Sequence, residues 1–201
     1  LAQTLRKAGL TVERIDLGGG VGIAYRDEAT IDLKEYAALV KEIISPLGTK
    51  IEIEPGRSIV GNAGLLVSRV ITVKAGVSRK FVIVDAAMND LIRPSLYDAY
   101  HGIIPVTEPP SDAPGERCDV GGPVCETGGR FAEQRPLPPV KAGDLVAFAT
   151  AGAYGSVMSS TYNTRLPAAE VLVKGERYDI VRPRPSYDHI IGLDQVPDWL
   201  A

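Results

Sequence analysis

Hydrophobic and polar positions along the first quarter of the chain follow two different periods. Residues 1–8 and Asp32–Ile44 carry apolar side chains at helical spacing, and Asp32 is a candidate N-cap of the second segment. Residues 11–17 and Lys50–Glu54 alternate between apolar and polar positions, as half-buried strands do. This order of strand, helix and strand predicts two parallel strands joined by a crossover helix.

The pattern changes after about residue 64, where helical spacing gives way to short runs rich in β-branched and aromatic residues. The runs cover residues 65–74, 81–86, 145–151, 170–175 and 178–183. They predict an antiparallel β-barrel or sandwich, with a solvated loop over 105–114 and a closing helix over Ser186–Leu193. We therefore expect two domains: residues 1–64, the α/β part, and residues 65–201, all β with a short terminal helix.

Composition and charge narrow the function classes. Of the 201 residues, 45% are apolar and 23% charged, as in an ordinary globular protein, and the formal net charge is -3. No basic stretch interleaved with aromatic residues is present, which argues against a nucleic-acid partner. No apolar run approaches the ~18 residues needed to cross a bilayer, and two cysteines make no disulfide framework, so we expect a reducing, cytoplasmic setting.

The histidines do not indicate a metal site, because His101 and His189 have no partners at ligand spacing. A metal-dependent activity is therefore not expected. The chain begins at Leu1 within what reads as a helix, and we expect it to be part of a longer polypeptide.

Two motifs at the ends of the predicted parallel strands carry candidate chemistry. Gly18, Gly19 and Gly20 follow the first strand, where backbone N–H groups can converge on an anion without side chains in the way. The run Glu54-Pro55-Gly56-Arg57 ends the second strand, so both motifs are expected on the same rim of the sheet. Each motif also has an ordinary structural interpretation: a glycine-rich turn without a ligand, and a surface ion pair between Glu54 and Arg57.

The β part contains three more candidate motifs. Cys125 and Glu126 lie in a turn-rich segment, where an exposed thiol suits general-acid chemistry, although an inert packed thiol fits the same motif. Arg93 and Tyr97 are four residues apart and can share one face of a helical turn. Tyr154 lies between small residues at a strand end, either as part of a site or as an aromatic that supports a turn.

Taken together, five motifs in this order resemble the diaminopimelate decarboxylases, a family of pyridoxal-phosphate enzymes that make lysine. The motifs are DLGGGVGI, EPGRS, DAAMNDLIRPSLYDAYH, GGPVCE and AGAYGSVMSSTYN. The resemblance covers nearly the whole chain, which corresponds to about the C-terminal half of such an enzyme. It implies the last strand and helix units of an alanine-racemase-like (β/α)8 barrel, followed by a β-domain.

The resemblance also implies roles around the cofactor, pyridoxal 5'-phosphate (PLP). Gly18, Gly19 and Gly20 look like its phosphate loop, with Gly56 and Arg57 near the same group. Glu54 looks like the carboxylate that faces the pyridine nitrogen and keeps the ring protonated. Tyr154 looks like the residue that bridges the cofactor phosphate and the substrate.

At the substrate, the resemblance assigns the distal carboxylate to Arg57, Arg93 and Tyr97, and the distal ammonium to Glu126. Cys125 resembles the acid that returns a proton to the α-carbon after decarboxylation. In the family this loop reaches into the partner's barrel, which implies a homodimer. The family's Schiff-base lysine lies ahead of Leu1, so this chain alone is expected to be inactive.

Two other functions fit the same fold. A sister decarboxylase acting on ornithine, arginine or carboxynorspermidine is one, but Arg93 with Tyr97 favours a substrate that has a distal carboxylate. A non-catalytic regulatory relative is the other, and a degenerate phosphate loop or proton donor would mark it. Here Gly18–Gly20 and Cys125 are intact, which favours the catalytic interpretation.

Overall fold

The computed structural model describes residues 1–200, and its first part is a strand–helix–strand unit. After helix α1 (Ala2–Lys7), strand β1 (Arg14–Asp16) pairs in parallel with β2 (Lys50–Glu52). Helix α2 (Leu33–Ile44) connects them. The predicted parallel strands and crossover helix are confirmed, although each strand is shorter than the alternation suggested.

Local sequence signals account for the bounds of α2. The carboxylate of Asp32 accepts a hydrogen bond from the backbone N–H of Lys34 at 2.7 Å and so caps the first turn. After α2 the chain forms a short 3-10 turn, Ser45–Leu47, and Gly48 follows it in the left-handed conformation, with φ of 60°. The helix therefore begins and ends where capping and turn residues stand in the sequence.

The larger part of the molecule is a six-stranded sheet in the order β5-β8-β3-β4-β6-β7. Its strands are β3 (Leu66–Ala75), β4 (Lys80–Val84), β5 (Ile103–Pro105), β6 (Glu116–Gly121), β7 (Arg130–Leu137) and β8 (Leu145–Phe148). Strands β4 and β6 are parallel, whereas the other neighbours are antiparallel. The sheet is therefore mixed, which corrects the expectation of purely antiparallel pairing.

The parallel pair results from the long connection between β4 and β6. That connection carries helix α4 (Arg93–Tyr97), which contacts β7, and strand β5, which pairs with β8 at the opposite edge of the sheet, before the chain returns as β6. A connection of this length is what two parallel neighbours require, because a tight turn can join only antiparallel strands. Between β2 and β3 the chain forms helix α3 (Gly56–Val60) and a 3-10 turn, Gly61–Ala63.

The hydrophobic core lies against the six-stranded sheet. Phe148 is fully buried, and its ring centroid is 4.4 Å from that of Phe131. Val84, Leu91 and Leu137 are buried in the same cluster. By contrast, α2 has no buried residue, and Leu33 and Ile43 on it are more than half exposed. The core thus belongs to the β part, and the α/β part contributes little to it within residues 1–200.

The chain ends with a hairpin and a short helix. Strands β9 (Glu170–Lys174) and β10 (Arg177–Arg182) form a separate two-stranded antiparallel sheet. Helix α5 (Tyr187–Ile191) is capped by Ser186, whose hydroxyl accepts a hydrogen bond from His189 N–H at 3.1 Å. The closing helix is confirmed but shorter than expected, and Ala201 lies outside the described residues. Within residues 1–200, every helix is too short or too polar to cross a membrane.

Candidate functional site

The glycine cluster forms a tight turn directly after β1. Gly18 and Gly20 have φ of 70° and 86°, a left-handed conformation that glycine adopts without steric cost. The Asp16 carboxylate accepts a hydrogen bond from Gly18 N–H at 2.8 Å and holds the start of the turn. A Cβ added at Gly18 or Gly20 would meet no atom within 4 Å, so the turn borders open space.

The loop after β2 lies beside this turn. Hydrogen bonding continues past the ends of the paired strands, because Glu54 N–H donates to Gly18 O at 2.8 Å. A Cβ at Gly19 would lie only 2.9 Å from Glu54 O, so glycine is needed for this close approach. The structure thus brings the glycine turn and Glu54 together, as predicted from their positions at the ends of two parallel strands.

Arg57 turns towards Tyr154 and forms no ion pair with Glu54. Arg57 lies in the first turn of α3, and its Cζ is 5.5 Å from the ring centroid of Tyr154. Within residues 1–200, Glu54 takes part in no salt bridge, so the surface ion pair between these two residues is not formed. Gly56 N–H donates to Glu54 O at 2.8 Å, which closes the turn between them.

The segment that carries Tyr154 is bound to the end of α3. Ala151 N–H donates to Gly64 O at 2.8 Å and Gly152 N–H donates to Gly61 O at 3.1 Å. A Cβ at Gly152 would lie 1.9 Å from a backbone oxygen, that of Val60, so only glycine fits there. Tyr154 has φ of 57° and is 44% exposed. We call the set Gly18–Gly20, Glu54, Gly56, Arg57 and Tyr154 the phosphate-side group, after the role that the sequence resemblance leads us to expect.

Arg93 and Tyr97 begin and end α4, and their surroundings differ. Arg93 is 6% exposed, and its Nη1 lies 2.9 Å from Nε2 of His101. Its Cζ also lies 4.9 Å from the ring centroid of Tyr25. Tyr97 is 61% exposed. The expected helical turn is present, but Arg93 is buried while Tyr97 faces outward.

The loop that carries Cys125 packs on α4. Cys125 is an exposed free thiol, which excludes the interpretation of an inert packed cysteine. The Glu126 carboxylate accepts a hydrogen bond from Gly128 N–H at 2.6 Å, and the Ser95 hydroxyl donates to Gly128 O. The loop 122–129 is therefore attached to the same helix as Arg93 and Tyr97. Cys118, in β6, is buried, and this burial raises the pKa of its thiol.

A cavity of about 380 Å³ lies between α4, the Cys125 loop and β7, and three arginines line it: Arg26, Arg130 and Arg135. The guanidinium carbons of Arg26 and Arg135 lie 3.8 and 3.9 Å from the ring centroid of Tyr100. Burial, followed by the charge of Arg26, lowers the pKa of Arg135, while Tyr100 acts in the opposite direction. No residue of the phosphate-side group lines this cavity in the part of the chain described.

Sequence reasoning missed two residues that contact Arg93, namely Tyr25 and His101. His101 was considered only as a metal ligand, and no cluster of metal-binding side chains occurs within residues 1–200. Its two ring nitrogens instead bond to Arg93 and to the backbone oxygen of Ala149. The position of His101 soon after Arg93 was the available signal, but the contact with Ala149 depends on the sheet.

Comparison with known proteins places these features in a family context. Residues 16–152 match the family described as "Pyridoxal-dependent decarboxylase, C-terminal sheet domain". The diaminopimelate decarboxylase of Zymomonas mobilis is 46% identical over 198 residues, which cover 98% of this chain and 46% of that protein. That of Neisseria meningitidis serogroup A is 49% identical over 188 residues, 94% of this chain and 46% of that protein.

Solved structures show the same likeness. The crystal structure of diaminopimelate decarboxylase from Helicobacter pylori, complexed with L-lysine, has a TM-score of 0.88 at 40% identity, over 96% of this chain and 47% of that one. The enzyme from M. jannaschii in co-complex with L-lysine has a TM-score of 0.91 at 33% identity, over 98% and 46%. The chain thus spans about half the length of the relatives it matches.

Proposed function

Because the chain belongs to the pyridoxal-dependent decarboxylases and contains their C-terminal sheet domain, we propose that it is the C-terminal half of an enzyme that decarboxylates meso-diaminopimelate to L-lysine. The observation that carries this proposal is the close pairing of the glycine turn with Glu54. The relatives named diaminopimelate decarboxylase support this substrate, and two of the similar structures contain L-lysine.

The phosphate-side group fits PLP. A phosphate requires converging donors with no side chain between them, and the open left-handed turn at Gly18 and Gly20 offers that shape. Within residues 1–200, the N–H groups of Gly19 and Gly20 donate to no acceptor, so they remain available to phosphate oxygens. Arg57 adds a positive charge at the same edge, and Tyr154 stands over its guanidinium.

When bound, PLP supplies an electron-withdrawing ring that accepts the electron pair left by the departing carbon dioxide. The ring does this best while its pyridine nitrogen is protonated. We assign Glu54 to hold the proton on that nitrogen, because it lies just past the end of β2 and its backbone N–H bonds to the glycine turn. The lysine that anchors the cofactor is not assigned to any lysine of this chain.

The distal end of meso-diaminopimelate carries both a carboxylate and an ammonium, which require opposite charges from the protein. In this proposal Arg57, Arg93 and Tyr97 bind the carboxylate and Glu126 binds the ammonium. Arg93 uses one N–H group towards His101, so its other N–H groups can pair with a carboxylate. Tyr154, next to Arg57, bridges the substrate and the phosphate.

Cys125 completes the reaction in this proposal. Its Sγ–H delivers a proton to the carbon that has lost carbon dioxide, and the exposed thiol on a loop suits that role. Within residues 1–200, no hydrogen bond joins the loop 122–129 to the phosphate-side group. We therefore propose a homodimer in which Cys125 of one subunit serves the phosphate-side group of the other.

The substrate assignment is tested with the full-length protein, by comparing kcat/KM for meso-diaminopimelate and for ornithine, which has no distal carboxylate. Arg93→Ala should lower kcat/KM for diaminopimelate by the equivalent of ~2–5 kcal/mol, as loss of a buried charged partner does. Arg117→Ala is the matched control, because Arg117 is exposed and bonds only to Gln134 O. Equal use of ornithine, or no effect of Arg93→Ala, would contradict the proposal.

A further inference from the structure

His101 joins α4 to the end of β8. The residue is 2% exposed. Its Nε2 lies 2.9 Å from Nη1 of Arg93, and its Nδ1 lies 2.9 Å from the backbone oxygen of Ala149. Gly102 O also accepts a hydrogen bond from Ala149 N–H at 2.8 Å, so the two segments are bound on both sides of the ring.

The partners of His101 determine its tautomer. A guanidinium can only donate, so Nε2 must accept the hydrogen bond from Arg93. A backbone carbonyl can only accept, so Nδ1 must carry the proton that is donated to Ala149 O. The ring is therefore the neutral Nδ1–H form, and protonation of Nε2 would set two donors against each other.

The charges around His101 favour the same neutral form. Burial and the positive charges of Arg93 and Arg135 lower its pKa, while the hydrogen bond to Ala149 acts in the opposite direction. Arg135, on β7, donates to His101 O at 2.7 Å. Tyr25 meets the imidazole edge-on, with ring centroids 5.6 Å apart. Among residues 1–200, no carboxylate contacts the ring.

Tyr25 holds Arg93 from a second direction. The Cζ of Arg93 lies 4.9 Å from the Tyr25 ring centroid, within the range of a cation–π contact. Arg93 is thus oriented by one hydrogen bond and one aromatic face, both from residues that are themselves packed together. The Tyr25 hydroxyl is buried and has no hydrogen-bond partner within residues 1–200.

From this arrangement we infer that neutral His101, supported by Tyr25, is a positioning residue that orients the Arg93 guanidinium towards the distal carboxylate of the substrate. The inference rests on the proposed function for that last step. The link to Ala149 also fixes Arg93 relative to the segment that leads on to Tyr154. His101 itself does not touch the substrate.

Two substitutions in the full-length protein separate the two bonds of the ring. In His101→Asn the amide nitrogen can still donate to Ala149 O, but the acceptor for Arg93 is lost. In His101→Gln the longer side chain places an acceptor near the former Nε2. We expect KM for meso-diaminopimelate to rise on the order of 10-fold in the Asn variant, as the loss of a hydrogen bond to a charged group predicts, and to stay near the wild-type value in the Gln variant.

The value of kcat and the affinity for PLP should change little in either variant. If His101 only stabilised the fold, His101→Asn would lower the melting temperature and leave KM unchanged. That result would overturn the inference. If the Asn variant does not fold, a 10-fold rise of KM in the Gln variant overturns it as well.

A second measurement does not depend on turnover. Long-range proton–nitrogen NMR of the wild-type full-length protein should show His101 protonated only at Nδ1 from about pH 8 to about pH 6. An Nε2–H or doubly protonated ring would overturn the inference even with an active enzyme. If the wild type does not decarboxylate meso-diaminopimelate, the proposed function fails, whereas the orientation of Arg93 by His101 is still decided by this spectrum.

Discussion

At the scale of single residues, Gly19 is a position where the candidate cofactor site has no room for a side chain. A methyl group there would approach the carbonyl oxygen of Glu54 to 2.9 Å, a distance that real Cβ atoms essentially never show. That oxygen belongs to the backbone and cannot move alone. Any side chain at Gly19 must therefore separate the glycine turn from the tip of β2.

We expect Gly19→Ala in the full-length protein to weaken PLP binding by about tenfold, which corresponds to about 1.4 kcal/mol. Overpacking of a close contact costs ~1–3 kcal/mol, and here the cost falls on the turn proposed to bind the phosphate. Gly22→Ala is the matched control, because a Cβ at Gly22 meets no atom within 4 Å. Titration with PLP, followed by absorbance, measures both, and equal affinities of the two variants would contradict this view of the turn.

The sequence predicts those site residues whose positions follow from nearby residues, and it misses those that depend on contacts between distant parts of the chain. Gly18–Gly20 and Glu54 follow from strand ends and spacing, and the structure brings them together. The contact between His101 and Ala149 joins residues 48 positions apart, so no local pattern contains it. For Arg57 the sequence left an ion pair with Glu54 open, whereas the structure turns its guanidinium towards Tyr154.

At the scale of elements, the segment 85–91 leads from β4 towards α4. Arg165, which is remote in sequence, holds this segment: its Nε donates to Asn89 Oδ1 at 3.0 Å and its Nη2 donates to Asp85 O. Asn89 is 1% exposed. Because a buried acceptor that loses its donor keeps its desolvation cost, Arg165 stabilises the segment that connects β4 to α4.

Arg165→Lys should lower the free energy of unfolding of the full-length protein by about 1.5–3 kcal/mol, the range for hydrogen bonds that involve a charged group. A lysine keeps the charge but cannot reach both acceptors with one planar group. Arg117→Lys, at an exposed position with a single bond of 3.2 Å to Gln134 O, should change stability by less than ~0.5 kcal/mol. Denaturant unfolding measures the difference, and equal effects of the two substitutions would refute the role of Arg165.

The elements themselves were predictable where capping or alternation was clear. The prediction of helix α2 is confirmed, and Asp32 caps it as the sequence indicated. Strands β6 and β7 were missed, because charged residues interrupt the apolar pattern in both. One of these is Asp119, only 1% exposed, which bonds to Arg79 at 3.0 Å and to Gln134 N–H at 2.8 Å. The partners of Asp119 lie in β7 and in the turn before β4, so the sequence of β6 alone suggests an exposed charge at this position.

At the scale of the whole molecule, the structure agrees with the expected combination of a barrel portion and a following sheet domain, as the family match and the similar structures support. The division near residue 64 stays a prediction, since hydrogen bonds such as Ala151 N–H to Gly64 O bind the two parts together. The sequence did not predict the parallel pairing of β4 with β6, because a long connection separates the two strands and their order in the sheet depends on how that connection packs.

The central claim is that this chain supplies both the phosphate-side group and the proton donor of a shared active site. Lysine formation from meso-diaminopimelate tests it most directly, in full-length protein made by co-expressing Glu54→Gln and Cys125→Ala subunits. Each variant alone should lose ~10²–10⁴ in rate, because each lacks one group that handles a proton.

In mixed dimers one of the two sites regains both groups, and half of randomly formed dimers are mixed. The account therefore predicts recovery to about a quarter of wild-type lysine formation. Co-expressed protein that forms no more lysine than the single variants would contradict the shared site, and wild-type protein that forms no lysine would contradict the proposed function.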